Sequence, residues 1–219
     1  MSGFVLQSRD DTGVDGMKRR AYIFSGVSVL FLLSACAGPG TRFPISLSYN
    51  GEISSTSKTA PSQQKVVVFP LEDKRDDTKL IGRHIHLSGQ VDTYESKTSV
   101  SENISQLLIA SLRQRGWYAR LAPPGIRPQD IKTDLVVTGT IQSLGADAIS
   151  RVGYTKIDAR FGLNVEVLDP KTGTKMTSKI ENRNDPKVVF FHSESLQEIL
   201  NELVSSGLNR VDLASFKTP

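Results

Sequence analysis

From Ile157 to Val167 every second residue is apolar: Ile157, Ala159, Phe161, Leu163, Val165 and Val167. This period-two alternation predicts a strand with one face buried, because successive side chains on a strand point to opposite faces. Asp169-Pro170-Lys171-Thr172-Gly173 follows with turn chemistry, and Lys175 to Asn184 is expected to return as the second arm of a hairpin. Upstream, KVVVFPL at 65–71 is an apolar β-branched run closed by Pro70, the pattern of a buried strand entering a loop. Leu135 to Leu144 predicts another strand, with Leu135, Val137 and Ile141 on its buried face and Gly139 marking a bulge. Shorter strands are expected around His84 to Leu87 and at Trp117 to Leu121.

Two stretches change period. After Ser99-Val100-Ser101-Glu102, which has capping-box spacing, Val100, Ile104, Leu107, Leu108 and Leu112 share one helical face until Gly116 provides the stop. Ser195 opens a second helix on the same logic, its apolar face made by Leu196, Ile199, Leu200, Leu203 and Val204. Two amphipathic helices on a mainly antiparallel sheet of four to five strands give an α+β fold, a two-layer sandwich. Ala122 to Asp134 reads as a loop by its prolines and glycine.

The N-terminal third has no such pattern. Met17, Lys18, Arg19 and Arg20 precede an apolar stretch from Ala21 to Leu33 and the small pair Ser34 and Ala35, the layout of a secretory signal. The apolar part is shorter than the roughly 20 residues a bilayer span needs. Residues 1–16 carry Asp10, Asp11 and Asp15, out of keeping with a basic leader, so Met17 is the better start. Residues 36–64 are rich in Ser, Thr, Gly and Pro and read as a flexible tether, while the alternation of Phe43, Ile45, Leu47 and Tyr49 offers an edge strand as the alternative reading. The expected organisation is an N-terminal extension and leader at 1–35, a tether at 36–64 and a single α+β domain at 65–219.

Net charge is +4 over 219 residues, and the cations form no stripe, so a nucleic-acid partner is not expected. Cys36 is the only cysteine, which excludes an intrachain disulfide. There is no Gly-rich phosphate loop, GxSxG elbow or HExxH, and neither catalysis nor a cofactor is expected. His84 and His86 would share one side of a strand, a spacing that metal sites use. A third ligand would have to come from His192 or an acid such as Asp73, and solvated histidines are the expected outcome. In the dense charge run at 72–77, Arg75 is placed to pair with Asp73 or Asp77, fixing the loop or presenting it to a partner.

Leu33-Ser34-Ala35-Cys36 resembles the lipobox of bacterial lipoproteins. The resemblance implies cleavage between Ala35 and Cys36 and a diacylglyceryl group on the Cys36 thiol, with the freed amine acylated as well. Ala37, where an aspartate would signal inner-membrane retention, leans the expectation to the outer membrane, facing the periplasm. With the lipobox, the strand entering Asp73-x-Arg75-x-Asp77, the helix ending at Arg115-Gly116 and the closing hairpin and helix, the chain resembles the YajG family of small bacterial lipoproteins. That resemblance implies no catalysis, and the expected role is that of a non-enzymatic, membrane-anchored envelope protein that binds or scaffolds another envelope component. A lipid or glycan carrier, or a transport-accessory lipoprotein, is the alternative, and a metal-dependent hydrolase comes last.

Overall fold

In a computed structural model of the chain, residues 40–50, 64–213 and 216 are described. The leader, Cys36 with its cleavage site, and residues 51–63 of the expected tether lie outside them. Ten strands and two helices follow in order: β1 (Arg42–Ile45), β2 (Lys65–Val68), β3 (Glu72–Asp73), β4 (Leu80–Ile85), β5 (Val91–Ser96), α1 (Val100–Gln114), β6 (Tyr118–Leu121), β7 (Leu135–Arg151), β8 (Tyr154–Leu168), β9 (Lys175–Asn184), β10 (Lys187–Val188) and α2 (Ser193–Asn209).

All ten strands join one mixed sheet, which corrects the expected two-layer sandwich on four to five mainly antiparallel strands. Its axis is the long hairpin of β7 and β8, paired antiparallel from Val136↔Leu168 to Arg151↔Tyr154. Along the other edge of β7, β2, β3 and β4 lie in succession, and all three run parallel to it. β6 adds in parallel outside β2, β5 antiparallel outside β4, and β1 parallel outside β5. β9 and β10 pair with β8 on its far side. The sheet exceeds the expectation because β7 is long enough to accept three strands end to end on one edge.

Along β8 the odd-numbered residues from Thr155 to Val167 are buried while Lys156, Asp158, Arg160 and Glu166 stand on the other side. α2 lies on β8 and β9, and α1 on β6. Leu196, Leu200, Val204 and Leu208 of α2 meet Phe161 in a core that also takes in Ile104, Leu108 and Leu112 of α1. Each such side chain, fully buried, contributes about 1.5–3 kcal/mol. α1 is capped as its spacing predicts: the Ser99 hydroxyl accepts from the Glu102 amide, and Gly116 continues past the end at φ 88°. A smaller core of Val67, Ala122, Ile131 and Val136 fills the opposite face at one end, beneath the proline-bearing loop.

The second half of β7, Gly145 to Arg151, is made of small and polar residues apart from Ile149, and the hydrophobic pattern does not mark it. They suit close approach of a helix: Ala146 and Ala148 are buried, and an added Cβ on the adjacent Gly82 would come within 3.1 Å of the Leu196 side chain. The expected bulge at Gly139 is displaced, since the register slips at Gln142, between Ile141↔Leu163 and Ser143↔Gly162.

The tether assignment also needs correction where it can be seen. Residues 42–45 form edge strand β1, Ile45 and Leu47 are buried in the main core, and the chain then follows α2. There the Ser48 amide donates to Asn201 Oδ1 (2.8 Å), the Asn50 amide to Ser205 Oγ (3.0 Å) and the Tyr49 hydroxyl to Asn209 Oδ1 (2.6 Å). Among the described residues no helix is long and apolar enough to cross a membrane.

Candidate functional site

Two clusters of charged and titratable residues interrupt the regular sheet, and both contain residues that stand out in the sequence. The first fills a break in the ladder along β7. Between Asp73↔Ile141 and Gly82↔Ala146 the chain spends more residues than β7 does, so it loops away and leaves backbone carbonyls without strand partners. Arg75 fills that gap. Its Nε and Nη2 donate to the two carboxylate oxygens of Asp73 (2.9 and 2.8 Å), Nη1 to the carbonyls of Leu80 and Leu144 (2.9 and 3.1 Å), and Nη2 also to the Thr78 carbonyl (2.7 Å).

The side chains of Arg75 and Asp73 are only 7% and 8% exposed, so this pair is turned inward and spent on the loop. Asp77, on the surface, accepts from the Lys79 and Leu80 amides (3.0 Å each), and those two bonds hold its carboxyl below the usual range against slight desolvation. The Asp73-x-Arg75-x-Asp77 motif therefore builds the loop from both ends. Beside it, Asp147 bridges Arg83 (2.9 Å) and Arg160 (3.1 Å) across β4, β7 and β8, and its hydrogen bond raises the Arg83 ionisation. These residues line a shallow depression of about 220 Å³.

The second cluster lies where β4, β5, β7 and β8 end together. The His84 and His86 rings meet at a tilt with centroids 4.0 Å apart, and His84 also packs on the Phe191 ring at 4.1 Å. Neither Asp73 nor His192 joins them. Asp73 belongs to the Arg75 pair, His192 is the N-cap residue of α2, and the third member is Asp92, opposite His84 across the β4–β5 ladder. The sequence signal for Asp92 is its place two residues before Tyr94 in an alternating pattern, but a buried acid in that register breaks the apolar reading of the strand. One donor atom from each of His84, His86 and Asp92 falls within 4.8 Å of the others.

All three are already engaged. His86 Nε2 donates to Asp92 Oδ2 (2.7 Å), the Thr41 amide donates to Asp92 Oδ1 (2.7 Å), and His84 Nε2 shares a 2.8 Å hydrogen bond with Ser150 Oγ, itself 3.2 Å from Thr155 Oγ1. Burial pushes the His84 ionisation down, nearby His86 adds to this, and Asp92 opposes it. Burial would raise the Asp92 carboxyl, yet the Thr41 amide and His86 together hold it below its ordinary value. Next to it, burial pushes the Tyr94 phenol up to about 12, with Asp92 and Glu194 adding to this; its ring stacks on Phe43 at 5.3 Å. The two imidazoles and one carboxylate are donor types that zinc accepts, but gathering them on an ion breaks the bonds to Ser150 and within the His86–Asp92 pair. As arranged, the cluster pins the entering chain at Thr41 to four strands.

No protein-family model and no curated protein matches the chain. Among solved structures, a Xanthomonas campestris protein of the family model DUF330 is similar over 78% of this chain and 92% of its own, at 10% identity and a TM-score of 0.51. This establishes a shared fold. More distant likenesses include the PelC dodecamer from Paraburkholderia phytofirmans (15% identity, 67% of this chain and 86% of that one, TM-score 0.41) and the lipoprotein GNA1162 from Neisseria meningitidis (12%, 65% and 96%, 0.36). At those scores neither bears on function.

Proposed function

We propose that the protein is a lipid-anchored, non-enzymatic lipoprotein of the cell envelope, YajG-like in kind, that binds another envelope component at the periplasmic face of the outer membrane. The observation that carries this is the tetrapeptide Leu33-Ser34-Ala35-Cys36 at the end of a basic and apolar leader. A thioether-linked diacylglyceryl group and an acylated amine on Cys36 together give stable attachment, which one chain alone does not. Mass spectrometry of the mature N-terminus tests it: a lipid-modified Cys36 is expected, and a free thiol there removes the anchor.

The binding role is supported by the sheet's open edges. Among the described residues β9 pairs with no strand other than β8, and an edge strand of this kind can accept a strand from a partner. The carrier alternative needs a cleft between helices and sheet. That layer is filled by Phe161, Leu196, Leu200, Val204 and Leu208, all nearly inaccessible to solvent, which favours the binding role. Crosslinking in intact cells followed by affinity capture separates the two, a stoichiometric protein partner supporting binding and co-purifying lipid without protein supporting carriage.

A further inference from the structure

The strand ends that surround the His84–Asp92 cluster carry an unusual set of side chains. β4 and β7 run towards this end, β5 and β8 start from it, and β10, antiparallel to β8, also runs towards it. Their tips therefore converge, and they expose Leu87 (67%), Val152 (89%), Val189 (71%) and Phe190 (78%), with Val91 and Tyr154 partly exposed beside them. Isolated apolar residues on a surface need no explanation, but six at one end of a sheet, four in connecting loops that polar residues normally occupy and two at strand tips, mark an interaction surface. Segments 86–91, 150–157 and 187–191 contain Arg151, Lys156 and Lys187 and no aspartate or glutamate. The Lys187 ammonium sits 5.4 Å over the Tyr154 ring.

The chain enters the fold at the same end. β1 runs parallel to β5, so its first residues lie beside the start of that strand. The Thr41 amide is fixed on Asp92, the Thr41 carbonyl accepts from the Thr93 amide (2.9 Å), and Gly40 packs directly on the Val91 carbonyl. Cys36 is four residues upstream of Gly40. At 3.3–3.6 Å per residue, four residues reach at most about 14 Å, less than half the thickness of a bilayer's hydrocarbon core.

We propose that this end of the sheet is a membrane-docking face: Leu87, Val91, Val152, Tyr154, Val189 and Phe190 enter the headgroup and acyl boundary of the leaflet that holds the Cys36 lipid, and Arg151, Lys156 and Lys187 meet its anionic headgroups. The inference rests on the lipid-anchor reading, because the short link from Cys36 is what brings the bilayer to these tips. Apolar and aromatic side chains with flanking cations are what an interfacial surface requires, the rings lying at headgroup level and the cations pairing with phosphate. A spacer this short leaves little room for a soluble protein between face and membrane, so the occupant is lipid. The lipid chains fix the molecule to the surface, and the six side chains fix its orientation.

The mature lipoprotein provides its own test, since acylation of Cys36 leaves an introduced cysteine as the only free thiol. Val152→Cys, Phe190→Cys and, in the turn at the opposite end of β8, Thr172→Cys are each labelled with an environment-sensitive fluorophore. The proteins are reconstituted in vesicles of phosphatidylethanolamine and phosphatidylglycerol, with and without doxyl-labelled lipid. A blue shift and loss of emission to doxyl lipid are expected at 152 and 190 but not at 172. Vesicle-bound protein whose labels at 152 and 190 remain water-exposed overturns the docking face while leaving the anchor intact. Intact-mass measurement of the same samples identifies failure of the anchor itself, as an unmodified Cys36. In intact cells, protection of 152 and 190 by crosslinked protein rather than by lipid also overturns the proposal.

Discussion

Arg75 distributes five hydrogen bonds over one carboxylate and three carbonyls in a space that solvent scarcely reaches. Its removal leaves Asp73 buried and unpaired and strands the carbonyls of Leu80 and Leu144, so Arg75→Ala should cost about 3–5 kcal/mol. For a domain of this size that lowers the melting temperature by about 2–4 °C per kcal/mol, readable by calorimetry. Arg75→Lys should fall between the two, since an ammonium cannot reproduce the planar fork. A double replacement of Asp73 and Arg75 should cost less than the sum of the single ones. The titration of His84 gives a second test at this scale. Its folded ionisation lies below the ordinary 6.5, so as pH falls through 6.5 the unfolded chain takes up a proton that the folded one refuses. The stability His84 confers is complete above 6.5 and lost as pH falls towards its folded value. Asp92, also depressed, acts only below about its ordinary 3.8 and leaves that window to the histidine. Urea midpoints should therefore fall between pH 7 and pH 5, and His84→Gln should flatten the decline.

Within elements, glycines separate what close packing demands from what it tolerates. A Cβ at Gly139 would overlap the Asn164 carbonyl oxygen, and backbone cannot step aside, so Gly139→Ala should destabilise by about 1–3 kcal/mol. At Gly145, on the same strand, the nearest atom to an added Cβ is the Ile81 oxygen at 3.5 Å, an ordinary contact, and Gly145→Ala should be nearly neutral in the same denaturation assay. The same contrast explains which elements could be read from the chain. β8 and α1 were legible because apolar residues repeat at periods of two and 3.6 against a polar opposite face. The far half of β7 was not, because its buried positions are alanines chosen for helix approach, and β5 was not, because one of its buried positions is Asp92. Parallel pairing leaves no mark in any single strand, so the succession of β2, β3 and β4 along β7 could emerge only in three dimensions. His84 and His86 were visible as a pair, whereas Asp92 became their neighbour through strand pairing alone.

For the whole molecule, the decisive change is where the folded unit begins. A domain starting at residue 65 behind a flexible tether could stand tens of Å from its lipid, at about 5–6 Å × √n for such a linker. With β1 in the sheet and residues 46–50 held along α2, the folded unit instead begins near Gly40, and its N-terminal strand is part of the stability. Deleting residues 40–50 removes Ile45 and Leu47 from the core, at about 1.5–3 kcal/mol each. It also exposes the Tyr94 ring and leaves Asn201 and Ser205 without the chain that they bind. Compared in urea, the chain lacking residues 40–50 should unfold at a clearly lower midpoint than the chain that retains them, with a smaller m-value for the reduced surface. Equal midpoints would mean that the segment rides on a domain already complete without it, and the lipid attachment would then regain the long reach that a tether allows.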